Sequence, residues 1–146
     1  MAVPNLANFE RRRSGINTQT ASNLATNAYG RFVSQQRGQR GITDATQNFK
    51  RQFPRFSATF GRRGLAGGGL QSGVQQRALQ NYVGDHNTNL QRLNADQEYT
   101  LRNYDLNAAN FEAERQRALA DLEAERAQAL ALTAQQLTAL KPFLEY

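Results

Sequence analysis

A chain of 146 residues supplies one small domain's worth of material, but only 39% of it is hydrophobic and it carries a net charge of +6. That is below the roughly 45–50% apolar content of an ordinary globular domain, although the benchmark also counts glycine. The absence of cysteine excludes disulfide staples, thiol nucleophiles and cysteine-bound metals. No apolar run nears the ~20 residues of a membrane span, and MAVPNLANFERRR lacks the apolar centre of a signal peptide. We therefore expect a chain made and used in soluble form, without a membrane span. Thirteen asparagines and sixteen glutamines make about a fifth of it side-chain amide. Such a chain stays partly unfolded or buries its surface against copies of itself or other proteins.

Charge is divided unevenly. Up to Arg63, eleven Lys and Arg stand against Glu10 and Asp44, a balance of +9; from Gly64 onward, seven stand against ten acids, a balance of −3. The first half should seek an anionic surface, either nucleic acid or an acidic protein ring, or its arginines simply keep a polar segment in solution.

Residues 1–15 read as an arm carrying the compact cluster Arg11, Arg12 and Arg13. Ile16, Leu24, Ala28 and Phe32 recur at multiples of four and predict a weakly amphipathic helix over 17–36, lowered in propensity by Gly30. RGQRG at 37–41 reads as a turn, after which Thr43 or Asp44 can cap a short helix. Phe49, Phe53, Phe56 and Phe60 then fall on one helical face, and Pro54 inside the run predicts two short pieces. Their interleaving with Lys50, Arg51, Arg55, Arg62 and Arg63 suits bases stacked on rings and phosphates held by arginines. Four rings in so apolar-poor a chain are better used as core or interface anchors, and that reading is preferred.

FGRRGLAGGGLQSG follows. A phosphate loop needs G-x-x-x-x-G-K-[ST], whereas from Gly64 the chain reads GLAGGGLQ, without the lysine or the hydroxyl residue. From Gly67, GGGLQS places Ser72 where the third glycine of a dinucleotide fingerprint belongs, and no predicted strand precedes it. No cofactor is implied. Gly64, Gly67, Gly68, Gly69 and Gly73 instead read as a joint that permits turns and close approach.

Beyond it, the 57 residues between Gly84 and Pro142 contain neither glycine nor proline. Leucines and alanines recur there at steps of three and four, which predicts a long helix, or two in series, from about Asp85 to Leu140 with Pro142 as its stop. EAERQRALADL (112–122) is followed directly by EAERAQALALT (123–133), an eleven-residue repeat. Its 3.67 residues per turn favour a bundle or ring over a left-handed heptad dimer, unless the repeat is drift in an alanine- and glutamate-rich helix. Leu119, Leu122, Leu130 and Leu137 are the expected interface anchors of this helix. About 55 helical residues would span roughly 80 Å, too long for the remaining ninety to enclose, so the stripe is expected to meet other copies, a neighbouring protein, or itself after a fold-back.

His86 is the sole histidine, and Asp85 beside it reads as an N-cap rather than a catalytic partner. Glu112, Glu114, Glu123 and Glu125 alternate with arginines as a solvated, ion-paired face. We expect no enzyme, no catalytic residue and no metal site.

RRGLAGGGLQSGVQQRALQNY, Arg62 to Tyr82, with a long Gln/Arg/Glu-rich tail after it, resembles small virion proteins of tailed bacteriophages: minor tail, head-to-tail connector and ejection proteins. The matching element covers about 20 residues, with compositional similarity over some 60 more. The resemblance implies a multi-copy virion component, made in the host cytoplasm, docked on portal or tail proteins near the DNA exit path.

Taken together, the expected fold is all-α and extended. A basic docking segment with short helices (1–60) leads through a Gly-rich joint and short helix (61–84) to a long assembling helix and tail (85–146). Arg11, Arg12, Arg13, Lys50, Arg51, Arg62 and Arg63 are the expected contacts to an anionic partner, protein or DNA backbone. The alternatives are a basic nucleic-acid-binding protein dimerising through its C-terminal helix, and a transient assembly scaffold.

Overall fold

A computed structural model describes residues 6–62 and 72–144. They form two helices, α1 (Leu6–Arg62) and α2 (Ser72–Leu144), which pack against each other; no strand occurs among the described residues. The glycines at 64, 67, 68 and 69, and Arg63, lie outside them. The chain divides into two units: one holds α1 up to Tyr29 with α2 from Asp105, the other holds Gly30–Tyr104. Within each unit the pairing is antiparallel. In the first, Arg12 meets Glu125 and Asn17 meets Arg115; in the second, Ser34 meets Tyr104 and Gln52 meets Tyr82.

The expected short N-terminal helices are one helix of 57 residues. Its punctuation is absorbed by packing. Gly38, in the predicted turn, lies under Gln97: an added Cβ would sit 2.6 Å from Gln97 Cδ. Gln97 Nε2 in turn donates to the Gln35 carbonyl at 3.4 Å. Gly30 is covered in the same way by the Tyr104 ring, 2.9 Å from a built Cβ, and Ser34 Oγ donates to Tyr104 Oη at 3.3 Å. These glycines serve close helix approach rather than chain reversal. Thr43 does not cap a new helix; its hydroxyl donates to the Gln39 carbonyl one turn back, at 2.9 Å.

Pro54 lies inside α1 without ending it. Its ring removes one donor to the Lys50 carbonyl, but both residues are exposed, where water can satisfy that oxygen. Phe49, Phe53 and Phe56 hold the helix to α2 on either side of it. The second helix likewise starts earlier than expected, at Ser72, and runs past Pro142 to Leu144. Asp85 and His86 are therefore interior to a helix rather than at its mouth. Gly84 is tolerated where nothing lies within 4 Å.

The inner face of α1 differs from the predicted apolar stripe. Ala28 and Phe32 point to solvent, Phe32 with 55% exposure. Ile16 and Leu24 are half-shielded, and the shielded positions include a regular series, 16, 20, 23, 27, 31, 34, 38, 42, 45, 49, 53 and 56, at steps of four, three and four that repeat every eleven residues. On α2 the second unit presents Tyr82, His86, Leu90, Leu93, Gln97, Leu101 and Tyr104 in the same eleven-residue spacing. The first unit presents Ala108, Phe111, Arg115, Ala118 and Leu122. Much of this seam is Thr, Asn, Ser, Gly and Gln, so it buries little. Leu122, at 5% exposure, is the buried apolar residue among those described, and no side chain is fully enclosed.

Glycine substitutions separate the two uses of glycine. Gly15→Ala and Gly41→Ala, with nothing within 4 Å of the added carbon, should each stabilise the helix by up to about 1 kcal/mol. Gly30→Ala should give no gain, because the Tyr104 ring must move. Urea unfolding followed by circular dichroism at one fixed chain concentration reads the difference.

Candidate interaction surfaces

Three groups of side chains stand out, and they lie in different places. The first is an aromatic ladder in the second unit. Tyr82 stacks on Phe56 with centroids 4.4 Å apart and on Phe49 at 5.3 Å, with Phe53 tilted against Phe49 and Tyr82. Phe49 also stacks on His86, 4.0 Å away and nearly parallel at 11°. Tyr82 Oη donates to Gln52 Oε1 at 3.3 Å. Phe49, Phe53 and Phe56 thus anchor α1 to the chain's own second helix, each half-shielded. The side chain of Phe60 lies outside the described residues. Rings committed to one another in this way spend much of their stacking surface inside the helix pair rather than on a base.

Beside the ladder is a shallow groove of about 560 Å³ lined by Asp44, Asn48, Gln52, Asp85, His86 and Asn89. Among the described residues no group of three or more His, Cys, Asp or Glu is placed to hold a metal ion.

The second group is the cations. Arg12, one of the expected anion contacts, is already occupied: its guanidinium donates twice to Glu125, at 2.5 and 3.3 Å. That hydrogen bond, aided by charge attraction and opposed by desolvation, holds the Glu125 carboxyl below its usual value and raises the Arg12 guanidinium. Arg115 is also engaged, donating to Asn17 Oδ1 at 2.8 Å and to Glu112 at 3.2 Å. Arg11, Arg13, Lys50 and Arg51 are exposed. Arg62 ends α1 with its side chain outside the described residues, as is the whole of Arg63. Arg37 and Arg40 were missed as site residues because the sequence places them in a turn. In the helix they share an exposed face with Arg51 and Arg55.

The third group is the C-terminal part of α2. Leu119 is half-shielded and Leu122 is buried, but Leu130 and Leu137 are exposed at 45% and 56%, with Leu132 at 59%. Gly73 lies in the first turn of α2, in open space. Among the described residues no helix is long and apolar enough to cross a membrane.

Comparison of the chain with protein-family models, with curated proteins and with solved structures gives no match.

The Arg12–Glu125 pair makes a pH prediction. With the folded carboxyl below its usual 4.5, the pair stabilises above that value and the contribution is lost as pH falls through the lower folded value. Both side chains are about half exposed, 49% and 51%, so the effect is small and screened by salt. Glu125→Gln should lower the thermal midpoint slightly at pH 7 in dilute salt. The gap to the unsubstituted chain should close below about pH 4 and in molar salt.

Proposed function

We propose that this chain is a non-enzymatic structural component of a tailed-phage virion. In this reading it is present in several copies, docked on portal or tail proteins near the DNA exit path, with a part in genome ejection. The observation that carries the assembly reading is the C-terminal stripe of α2. Arg12 lies opposite Glu125, so Leu6, the first described residue of α1, falls opposite α2 about six residues further on, near residue 131. Beyond that point the α1-facing stripe of α2 continues through Thr133 and Leu137.

The occupant we assign to that stripe is a second copy of the chain. A contact about a two-fold axis sets residue i against residue j and j against i, and residues near the axis meet their own counterparts, where like charges repel. From Ala127 to Leu140 no charged side chain occurs, in a chain that is 21% charged overall. The stripe also prolongs the α1–α2 seam in the same spacing, so a helix can continue across it without a change of register. Placement in a virion rests on the resemblance of Arg62 to Tyr82 and its polar tail. The sparse core supports it: a helix pair with one buried apolar residue among those described gains most of its burial in assembly.

Sedimentation tests assembly. The unsubstituted chain should sediment as an oligomer, and Leu130→Glu with Leu137→Glu should reduce its mass while helical circular dichroism persists. A monomer at all concentrations up to about 100 µM would overturn the self-contact, since that range corresponds to affinities weaker than ordinary specific interfaces. Placement is tested by mass spectrometry of purified particles, where an integral copy number is expected. Presence in precursor particles alone would favour the transient scaffold instead.

A further inference from the structure

The arginines of α1 in the second unit are not spread evenly. At about 100° per residue, Arg37, Arg40, Arg51 and Arg55 fall within roughly 60° of arc, along about 27 Å of helix. All four are exposed and stand on the side of α1 turned away from the seam. Among the described residues none of them forms an ion pair or hydrogen bond. Asp44 is the one acid on this face, while Asp85, Asp96 and Glu98 on α2 are matched by Arg77, Arg92 and Arg102. From Gly30 to Thr59 the helix carries six Lys and Arg against Asp44 alone.

We infer that this ridge binds the phosphate backbone of a nucleic-acid duplex. The residues between the arginines decide what kind of partner fits. A protein–protein contact of useful strength has an apolar centre with aromatic anchors. The ridge has no aromatic anchor: the positions between its arginines are Asp44, Gln47 and Asn48, with Pro54 at its edge, and the nearby rings of Phe49, Phe53 and Phe56 face α2. A single strand would require free aromatic faces on which to stack; the rings nearest the ridge are committed to Tyr82 and His86, and exposed Phe32 stands about 80° of arc away from it. A duplex backbone requires neither. It asks for cations along a rigid line and tolerates a wet, wholly polar contact. Guanidinium suits it better than ammonium, because its fork of donors matches phosphate oxygens in pairs, and all four residues are arginine.

The rigidity comes from the fold. Read as a turn at 37–41 and a break at Pro54, the sequence would scatter these four side chains. The continuous helix, held by Gly38 against Gln97 and by the aromatic ladder, brings them into line. The inference stands apart from the assembly reading, since the ridge is on α1 and the self-contact stripe is at the far end of α2 in sequence.

Fluorescence anisotropy with the full chain and a labelled 30-base-pair DNA of mixed sequence tests it. Binding should be insensitive to sequence and fall with salt at a log–log slope of about −3 to −4, roughly a hundredfold between 50 and 200 mM. Replacing Arg37, Arg40, Arg51 and Arg55 together by glutamine preserves helix propensity. It should weaken binding at least tenfold and flatten the slope toward zero. Replacing Arg77, Arg92, Arg117 and Arg126 by glutamine removes the same charge from α2 and should change affinity less than threefold. Equal loss in the two variants would show that net charge alone drives binding, and would overturn the ridge. So would an absence of binding at 10 µM chain in 50 mM salt, or poly-glutamate competing as well as unlabelled duplex, which would indicate an acidic protein as the partner. Competition by single strand equal to that by duplex would overturn the choice of duplex.

Discussion

Two helices can shield only one face of each other, and most of this molecule follows from that limit. The described residues contain no third element to close over the seam. Leu122 is accordingly the buried apolar side chain, and Thr20, at 8% exposure, the buried polar one. Ten large apolar residues, among them Tyr29, Phe32, Tyr99, Leu106 and Leu137, remain substantially exposed. A core this small leaves little against the conformational entropy of ordering the chain. In the assembly we propose, surface coverage by other molecules becomes part of the folding problem, and the uncharged end of α2 and the cationic ridge of α1 are the surfaces offered for it.

The seam is held by register more than by burial. An eleven-residue spacing, close to the natural turn of a helix, lets a stripe run along α1 without drifting off the partner. That permits polar residues to occupy it, provided each finds a partner. Ser34 with Tyr104, Gln97 with the Gln35 carbonyl, and Asn17 with Arg115 do so. Among the described residues no buried side-chain nitrogen or oxygen is left unpaired. Gly30 and Gly38 make room where Tyr104 and Gln97 of α2 cross α1, and the aromatic ladder supplies the ring contact. Specificity of pairing comes from these matched positions, since hydrophobicity alone would allow the helices to slide.

How much of this was legible in the sequence depended on the residue type carrying the signal. The long α2 was readable from its glycine-free, proline-free run, but the eleven-residue repeat at 112–133 matches the seam only in part: 118 with 129 and 122 with 133 are shielded, while 108, 111, 115, 118 and 122 step by three and four. The repeat in α1 stayed hidden because its positions are Thr20, Asn23, Asn27, Ser34 and Gly38, which no count of apolar residues detects. Gly38 and Pro54 read as breaks because local propensity treats them so, whereas the packing of Gln97 and the phenylalanines overrides that preference. The length argument for α2 also took α1 to be fragments; a second helix of 57 residues shields the stripe that seemed to require another molecule. Arg12 and Glu125 are 113 residues apart, so only the pairing of the helices could remove Arg12 from the pool of free cations. That same pairing revealed Arg37 and Arg40 as members of the exposed ridge.

The central claim is that the folded helix pair is completed by association. Its most direct test is the thermal midpoint of the chain measured over about a hundredfold range of concentration, since any partner that binds only the folded form raises stability by mass action. A helix pair completed by its own copies has a midpoint that climbs steadily with concentration. A midpoint independent of concentration, in a sample that remains monomeric throughout, would contradict it.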